Sequence, residues 1–205
     1  MSINLPNALP GYKHIKRYWD HRSSGYVAKI LPGEYYVTYH NEILMTVVGS
    51  CVSACICDKN IGIGGMNHFM LPHGVTDKWA HTSASAASRY GSVAMEYLIN
   101  EILKHGGRKE NLEIKLFGGG RIMQNIGNIG QQNIDFVRNY IEMEGLNLSA
   151  EDLGDIYPRK ILFFPNTGLA RVKKLRATQQ IVLERETEYR HNLESQSTAG
   201  DVDLF

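Results

Sequence analysis

Residues 46–72 read TVVGSCVSACICDKNIGIGGMNHFMLP, and the fold prediction starts from this stretch. An apolar run that begins at Ile43 ends at the small-residue turn Gly49-Ser50. Two further apolar runs follow, over residues 52–57 and 61–70. Short runs of this kind, rich in β-branched residues and bounded by glycine, are typical of β-strands. The stretch therefore predicts three strands in succession, the last two joined as a hairpin.

The hairpin gives a specific register. If Lys59-Asn60 forms a two-residue tip, Asp58 pairs with Ile61, and the same register places Cys51 opposite His68. Side chains directly opposed in an antiparallel pair have Cβ atoms about 4.5–5.5 Å apart on one face of the sheet. A longer loop, or a bulge at one of the glycines, would shift this register. The interpretation predicts a thiol and an imidazole within reach of each other.

This pair has a clear chemical use. A free cysteine is only a few per cent thiolate near neutral pH, and a neighbouring imidazole can accept its proton. The Gly-Ser turn before Cys51 leaves backbone N–H groups available to a developing oxyanion. We therefore predict Cys51 as nucleophile and His68 as base. A third group normally orients the imidazole, and four nearby residues can do so: Thr46, Ser50, Ser53 and Asn67.

Three alternative roles concern the cysteines, a possible metal site and a later glycine run. Buried cysteines usually act as small hydrophobes, and Cys55 and Cys57 are interpreted as core residues. Cys51, Cys55, Cys57 and His68 could in principle bind zinc, but the spacing C-x3-C-x-C lacks the usual C-x2-4-C knuckle, so no metal is predicted. The FGGGRI segment at 117–122 has no following Lys-Ser/Thr, so its glycines are interpreted as a tight turn or close backbone approach, not a phosphate loop.

The remaining pattern mixes strands and helices. We predict strands at 34–40, 113–117 and 161–164, and helices at 83–105 and 128–142. Strands come first and helices are then interspersed, which predicts the α+β class: a single layered α/β domain with a mixed or antiparallel sheet packed by two main helices. We predict an N-terminal extension at 1–25 that is loosely attached or partly disordered, the catalytic domain at 26–176, and a C-terminal helix or polar tail at 177–205.

Composition restricts the function classes. The 205 residues include 22 Lys and Arg against 21 Asp and Glu, and this balance gives no basis for predicting nucleic acid as a partner. We see neither an apolar run of the roughly 20 residues needed to span a bilayer nor a signal peptide, so we predict a cytoplasmic location without membrane insertion. Three cysteines crowded into seven positions, Cys51 to Cys57, make a poor disulfide framework.

Six segments together resemble CheD, the chemoreceptor glutamine deamidase family: LPGEYYVT, VVGSCVSACICD, GIGGMNHFMLP, RYGSVAMEYLINEIL, LFGGG and IGQQN. The resemblance runs from about residue 28 to about residue 174. It implies a Cys-His-Thr arrangement in which the residues matching the family's are Cys51, His68 and Thr46. In some members the threonine stands one place earlier, where this chain has Met45.

The resemblance implies deamidation of receptor glutamines, with a CheC-type phosphatase as a partner. Acyl transfer through a cysteine needs no metal or organic cofactor, and because a thioester forms from any acyl donor, hydrolysis of receptor glutamyl methyl esters is an expected side activity. Where the family usually has FGGA, an Arg before the Asn of IGQQN, and GGxxGR, this chain has FGGG, IGQQN and GDIYPR. A second hypothesis therefore remains, in which the chain is chiefly a docking module for receptors or CheC.

Overall fold

The computed structural model describes residues 5–71, 86–122, 128–176 and 179–197. Within these ranges the chain forms two five-stranded sheets and three α-helices, with one 3-10 turn at Lys109–Asn111. The strands are β1 Lys16–Asp20, β2 Gly25–Lys29, β3 Tyr35–Thr38, β4 Glu42–Val48, β5 Val52–Asp58, β6 Ile63–Asn67, β7 Leu112–Gly118, β8 Asn147–Leu153, β9 Arg159–Phe164 and β10 Leu169–Lys174. The helices are α1 Ala86–Lys104, α2 Ile129–Met143 and α3 Gln179–Ser197.

Both sheets are mixed. Sheet A has the order β1-β2-β4-β9-β10, with β2 and β4 parallel and the other pairs antiparallel. Sheet B has the order β3-β6-β5-β7-β8, with only β7 and β8 parallel among its pairs. The predicted α+β class is confirmed. The single sheet of the prediction is two sheets, and α3 is a third helix beside the two main ones.

The core lies between the sheets and under the helices. Every residue of β5 is buried, Ser53 and Asp58 included, and the strand lies at the centre of sheet B between β6 and β7. Cys55 and Cys57 belong to this core, which agrees with their interpretation as packing residues. Helix α1 packs on β3, β5 and β6, and α2 packs on β5 and β8.

The N-terminal segment is more closely attached than predicted. Leu9, Tyr12 and Ile15 are buried in the main core, and β1 pairs along its whole length with β2. The expectation of a loosely attached segment is wrong for this part of the chain, because three apolar side chains spaced along a polar stretch are enough to anchor it.

At the other end, α3 continues to Ser197, past the start of the predicted polar tail at His191. Residues 198–205 of that tail, and residues 83–85 of the predicted first helix, lie outside the described residues. No helix within the described ranges is long and apolar enough to cross a membrane.

Candidate active site

Residues Gly49, Ser50 and Cys51, called here the 49–51 turn, carry the chain from β4 in sheet A to β5 in sheet B. The glycine run after β7 packs against this turn backbone to backbone. The N–H of Gly119 donates to the Cys51 carbonyl at 2.8 Å, and the N–H of Gly120 donates to the Gly49 carbonyl at 2.6 Å. The interpretation of these glycines as a close backbone approach is therefore confirmed.

The third carbonyl of the turn is held by Asn133 of α2. Its Nδ2 donates to the Ser50 carbonyl at 2.8 Å, while its Oδ1 accepts from the N–H of Leu71 at 2.8 Å. Asn133 is fully buried. All three carbonyls of the 49–51 turn thus point toward one set of donors, and this orientation leaves its three N–H groups free to converge elsewhere.

Those N–H groups converge on the carboxylate of Glu186 in α3. Its Oε1 accepts from the N–H of Gly49 at 2.6 Å and of Cys51 at 3.2 Å. Its Oε2 accepts from the N–H of Ser50 at 2.7 Å and from the Ser50 hydroxyl at 2.6 Å. Three convergent N–H groups beside a cysteine form an anion-binding site of the kind that stabilises an oxyanion.

His68 follows β6 and contacts Thr46 of β4, with 2.8 Å between His68 Nδ1 and Thr46 Oγ1. The Thr46 hydroxyl donates its single hydrogen to the Ile30 carbonyl at 2.8 Å. Thr46 must therefore accept from Nδ1–H, an assignment made from the hydrogen-bond network, and Nε2 carries the lone pair. Met45 points to the other side of sheet A, into a small cluster with Val27 and Ile43, so Thr46 is the residue that faces the site.

The Cys51 Sγ, one ring nitrogen of His68 and one carboxylate oxygen of Glu186 all lie within 4.8 Å of one another. Cys51 is 0 % exposed and His68 is 1 % exposed. Among the described residues, His68 Nε2 has no hydrogen-bond partner. The three side chains predicted from the sequence, Cys51, His68 and Thr46, therefore come together at one place, with Glu186 added.

The electrostatics of this arrangement favour neutral groups. Burial, and then the negative charge of Glu186, raise the pKa of the Cys51 thiol well above its usual value. Burial lowers the pKa of His68 to about 3. With α3 in place, the site holds a neutral thiol beside a neutral imidazole, because both charged forms are penalised.

The predicted hairpin register is wrong by two positions. Asp58 pairs with Ile63, because the loop has four residues and Gly62 adopts φ +71°, a left-handed conformation that glycine accepts readily. Val52 and Phe69 form a bridge in the same shifted register. A shift of two keeps each side chain on its original face of the sheet. His68 is therefore a diagonal neighbour of Cys51, and the two side chains still lie close together.

Glu186 and Asn133 were not found from the sequence. Asn133 lies in the quoted IGQQN segment, but its type alone gave no role. Glu186 is one acid of a polar helix and lies 135 positions from Cys51. The available signal was its spacing: among the described side chains of α3, the buried ones are Val182, Glu186 and Leu193, so this acid shares a stripe with the apolar anchors.

The cluster of Cys51, His68 and Glu186 also has donor types that bind Zn²⁺ in other proteins. This set differs from the one that the sequence suggests, which included Cys55 and Cys57, because those two are core residues of β5. Both oxygens of Glu186 already accept hydrogen bonds from the 49–51 turn. Those four donors account for the buried carboxylate without an ion.

Comparisons with a family model and with known proteins point to the same family. A family model described as CheD chemotactic sensory transduction matches residues 70–174, about half of the chain. A Halorhodospira halophila protein is 50% identical over 99% of this chain and 95% of its own length, and one from Hahella chejuensis is 44% identical over 98% and 95%. A Hydrogenovibrio crunogenus protein is 52% identical over 86% and 93%. All three are named probable chemoreceptor glutamine deamidase CheD.

Proposed function

The chain belongs to the CheD family, and we propose that it converts glutamine side chains of chemotaxis receptors to glutamate by acyl transfer through Cys51. The observation that carries the proposal is the site itself. A cysteine thiol and an imidazole nitrogen lie within 4.8 Å of a carboxylate that is bound to three convergent backbone N–H groups. Hydrolysis of a receptor carboxamide needs a nucleophile, a base and oxyanion donors, and Cys51, His68 and the N–H groups of the turn supply them.

In the first half of the reaction, His68 Nε2 takes the Cys51 proton and the thiolate attacks the carboxamide carbon. The oxyanion is stabilised by the N–H groups of the 49–51 turn. The imidazolium then protonates the amine, the C–N bond breaks, and ammonia leaves a thioester on Cys51. Each such N–H donor typically contributes on the order of 2.7–4 kcal/mol to transition-state stabilisation.

In the second half, His68 Nε2 takes a proton from water, and the resulting hydroxide attacks the thioester carbon. The C–S bond breaks, glutamate is released, and Cys51 recovers its proton from the imidazolium. Thr46 acts through His68: by accepting from Nδ1–H, it keeps the lone pair on Nε2. Thr46 is therefore assigned as a positioning residue.

The direct experiment is mass spectrometry of a receptor's cytoplasmic fragment after incubation with the protein. We expect a gain of about one dalton at specific glutamines, and no gain with a Cys51→Ala variant. A Cys51→Ala protein that still released ammonia from receptor glutamines would defeat the proposal. A docking module, the second hypothesis from sequence, predicts receptor binding with no mass change and no sensitivity to thiol alkylation.

Thr46 offers a sharper test of the hydrogen-bond network. Thr46→Val removes the acceptor for Nδ1–H, and we expect the deamidation rate to fall by roughly tenfold or more, since an imidazole in the wrong tautomer cannot act as base. Thr46→Ser keeps the hydroxyl and should restore most of the rate. Equal rates for the two variants would remove Thr46 from the mechanism.

Three further expectations stay predictions. A thioester forms from any acyl donor, so glutamyl methyl esters are expected to be slower substrates of the same site. A CheC-type phosphatase is an expected partner. A cytoplasmic location follows if the substrates are the cytoplasmic portions of receptors.

A further inference from the structure

We propose that α3 is an intramolecular competitor of the receptor: Glu186 occupies the position of the product glutamate, and the helix must leave before a receptor glutamine can reach Cys51. This inference rests on the proposed function for the identity of the displaced substrate. The occlusion of the site stands on geometry alone.

The hydrogen bonds of Glu186 are those expected of a product. Deamidation of glutamine yields a γ-carboxylate, and Glu186 presents the same group to the N–H donors of the 49–51 turn, at 2.6–3.2 Å. These donors are the ones assigned to the oxyanion. A receptor carboxamide and Glu186 cannot bind them at the same time.

The helix also shuts the site sterically. Val182, Arg185 and Glu186 line one small cavity together with Thr46 and His68. One turn further along α3, the Tyr189 hydroxyl lies 2.6 Å from the Tyr90 hydroxyl of α1. With α3 seated, Cys51 has no exposed surface, and a macromolecular substrate has no route to a fully buried sulfur.

Charge acts in the same direction as sterics. The carboxylate of Glu186 opposes ionisation of Cys51, and no imidazolium balances it, because burial keeps His68 neutral. Removing Glu186 from the turn would expose the pair to water and relieve both penalties. Departure of α3 is thus expected to open the site and to make the thiol more reactive.

The contacts that hold α3 on the site are of a kind that allows the helix to dissociate from it. Its described buried side chains are Val182, Glu186 and Leu193, and Glu184 and Glu188 are exposed on the other side. Leu183 and Tyr189 are partly buried against the core as well. Four apolar side chains therefore help to hold this 19-residue helix, which would be marginal in water without such packing. The Glu186 carboxylate accepts four hydrogen bonds from the 49–51 turn and is a principal polar lock of the helix.

The test uses the full-length chain with Glu186→Ala, and Glu188→Ala as a matched control that removes an exposed acid from the same helix. The readouts are the rate of Cys51 alkylation by iodoacetamide, followed by peptide mass, and the rate of receptor deamidation. We expect Glu186→Ala to raise the alkylation rate about tenfold or more and to raise deamidation, with the control at the wild-type rates. Circular dichroism establishes that both variants are folded.

The outcomes separate the two proposals. Unchanged or slower alkylation in folded Glu186→Ala would overturn the competitor role, and would instead make Glu186 a structural support of the turn. Faster alkylation without deamidation of any receptor would support occlusion by α3 and count against the proposed function. Faster alkylation together with faster deamidation supports both.

Glu186→Gln supplies a second test that also covers an unstable alanine variant. The introduced carboxamide is delivered to Cys51 by the helix itself, so we expect the chain to deamidate itself and gain about one dalton at position 186. The gain should be absent when Glu186→Gln is combined with Cys51→Ala. If the carboxamide persists while the same sample deamidates receptor, Glu186 does not occupy the product position.

Discussion

The 49–51 turn is held from two sides by two kinds of structure. On the carbonyl side, Gly119, Gly120 and Asn133 belong to the sheet-B end and to α2, and two of the three bonds join backbone to backbone. On the N–H side, the donors meet a single carboxylate from α3. The first support is part of the core, whereas the second is one side chain of a polar helix. The oxyanion donors should therefore keep their orientation when α3 leaves.

The largest expected effect comes from breaking the carbonyl-side support. Gly118 has φ +116°, and a Cβ there would overlap the Cys51 carbonyl oxygen, which is backbone and cannot move aside. We expect Gly118→Ala to lower the free energy of unfolding by roughly 3 kcal/mol or more, from strain and overpacking together. Urea titration measures this loss.

Gly145→Ala is the matched control for Gly118. Gly145 also has positive φ, at +62°, but a Cβ there meets nothing within 4 Å. Its expected loss is about 1–2 kcal/mol, from the left-handed backbone alone. Equal losses at the two positions would mean that the glycine run does not pack tightly on the turn.

The next effect concerns the buried imidazole between the two supports. His68 binds a proton below about pH 6.5 in the unfolded chain, but burial lowers its pKa to about 3 in the folded protein. Between these values the unfolded state binds more protons, so stability falls as pH falls, by roughly 1 kcal/mol for each pH unit. His68→Gln should remove this contribution, giving a shallower slope of unfolding free energy between pH 6 and pH 4. Parallel slopes for the two proteins would show that His68 is hydrated or paired when folded.

The catalytic cluster could be predicted from the sequence even though the hairpin register was wrong. Cys51 and His68 lie next to the ends of the paired strands β5 and β6, where period-two alternation decides which side chains share a face. Thr46 reaches the site from β4 in sheet A. A register error of two therefore left the predicted cluster in place. The error arose because a four-residue loop closed by Gly62 and a two-residue tip at Lys59-Asn60 look alike in sequence.

Other elements lacked a readable local pattern. Strands β8 and β10 read NLSAEDL and LARVKK, and both are edge strands whose polar residues face solvent. Their pairing partners, not their own propensity, make them strands. Glu186 was harder still, because its helical spacing from Val182 and Leu193 indicates a buried acid but not what that acid contacts. Contacts between distant segments decide that, and one sequence does not reveal them.

The smallest expected effect comes from weakening the attachment of α3 alone. Tyr189→Phe removes the hydroxyl that contacts the Tyr90 hydroxyl at 2.6 Å, a bond with a net contribution of about 1 kcal/mol. If this bond helps to seat α3, Cys51 alkylation should accelerate about fivefold, since each 1.4 kcal/mol is a factor of about ten. Tyr90→Phe should do the same, and the double variant should add little, because both changes remove one interaction. Tyr39→Phe, at an exposed tyrosine outside this contact, is the control. Additive accelerations would place the two hydroxyls in separate interactions and leave Glu186 as the main lock on the helix.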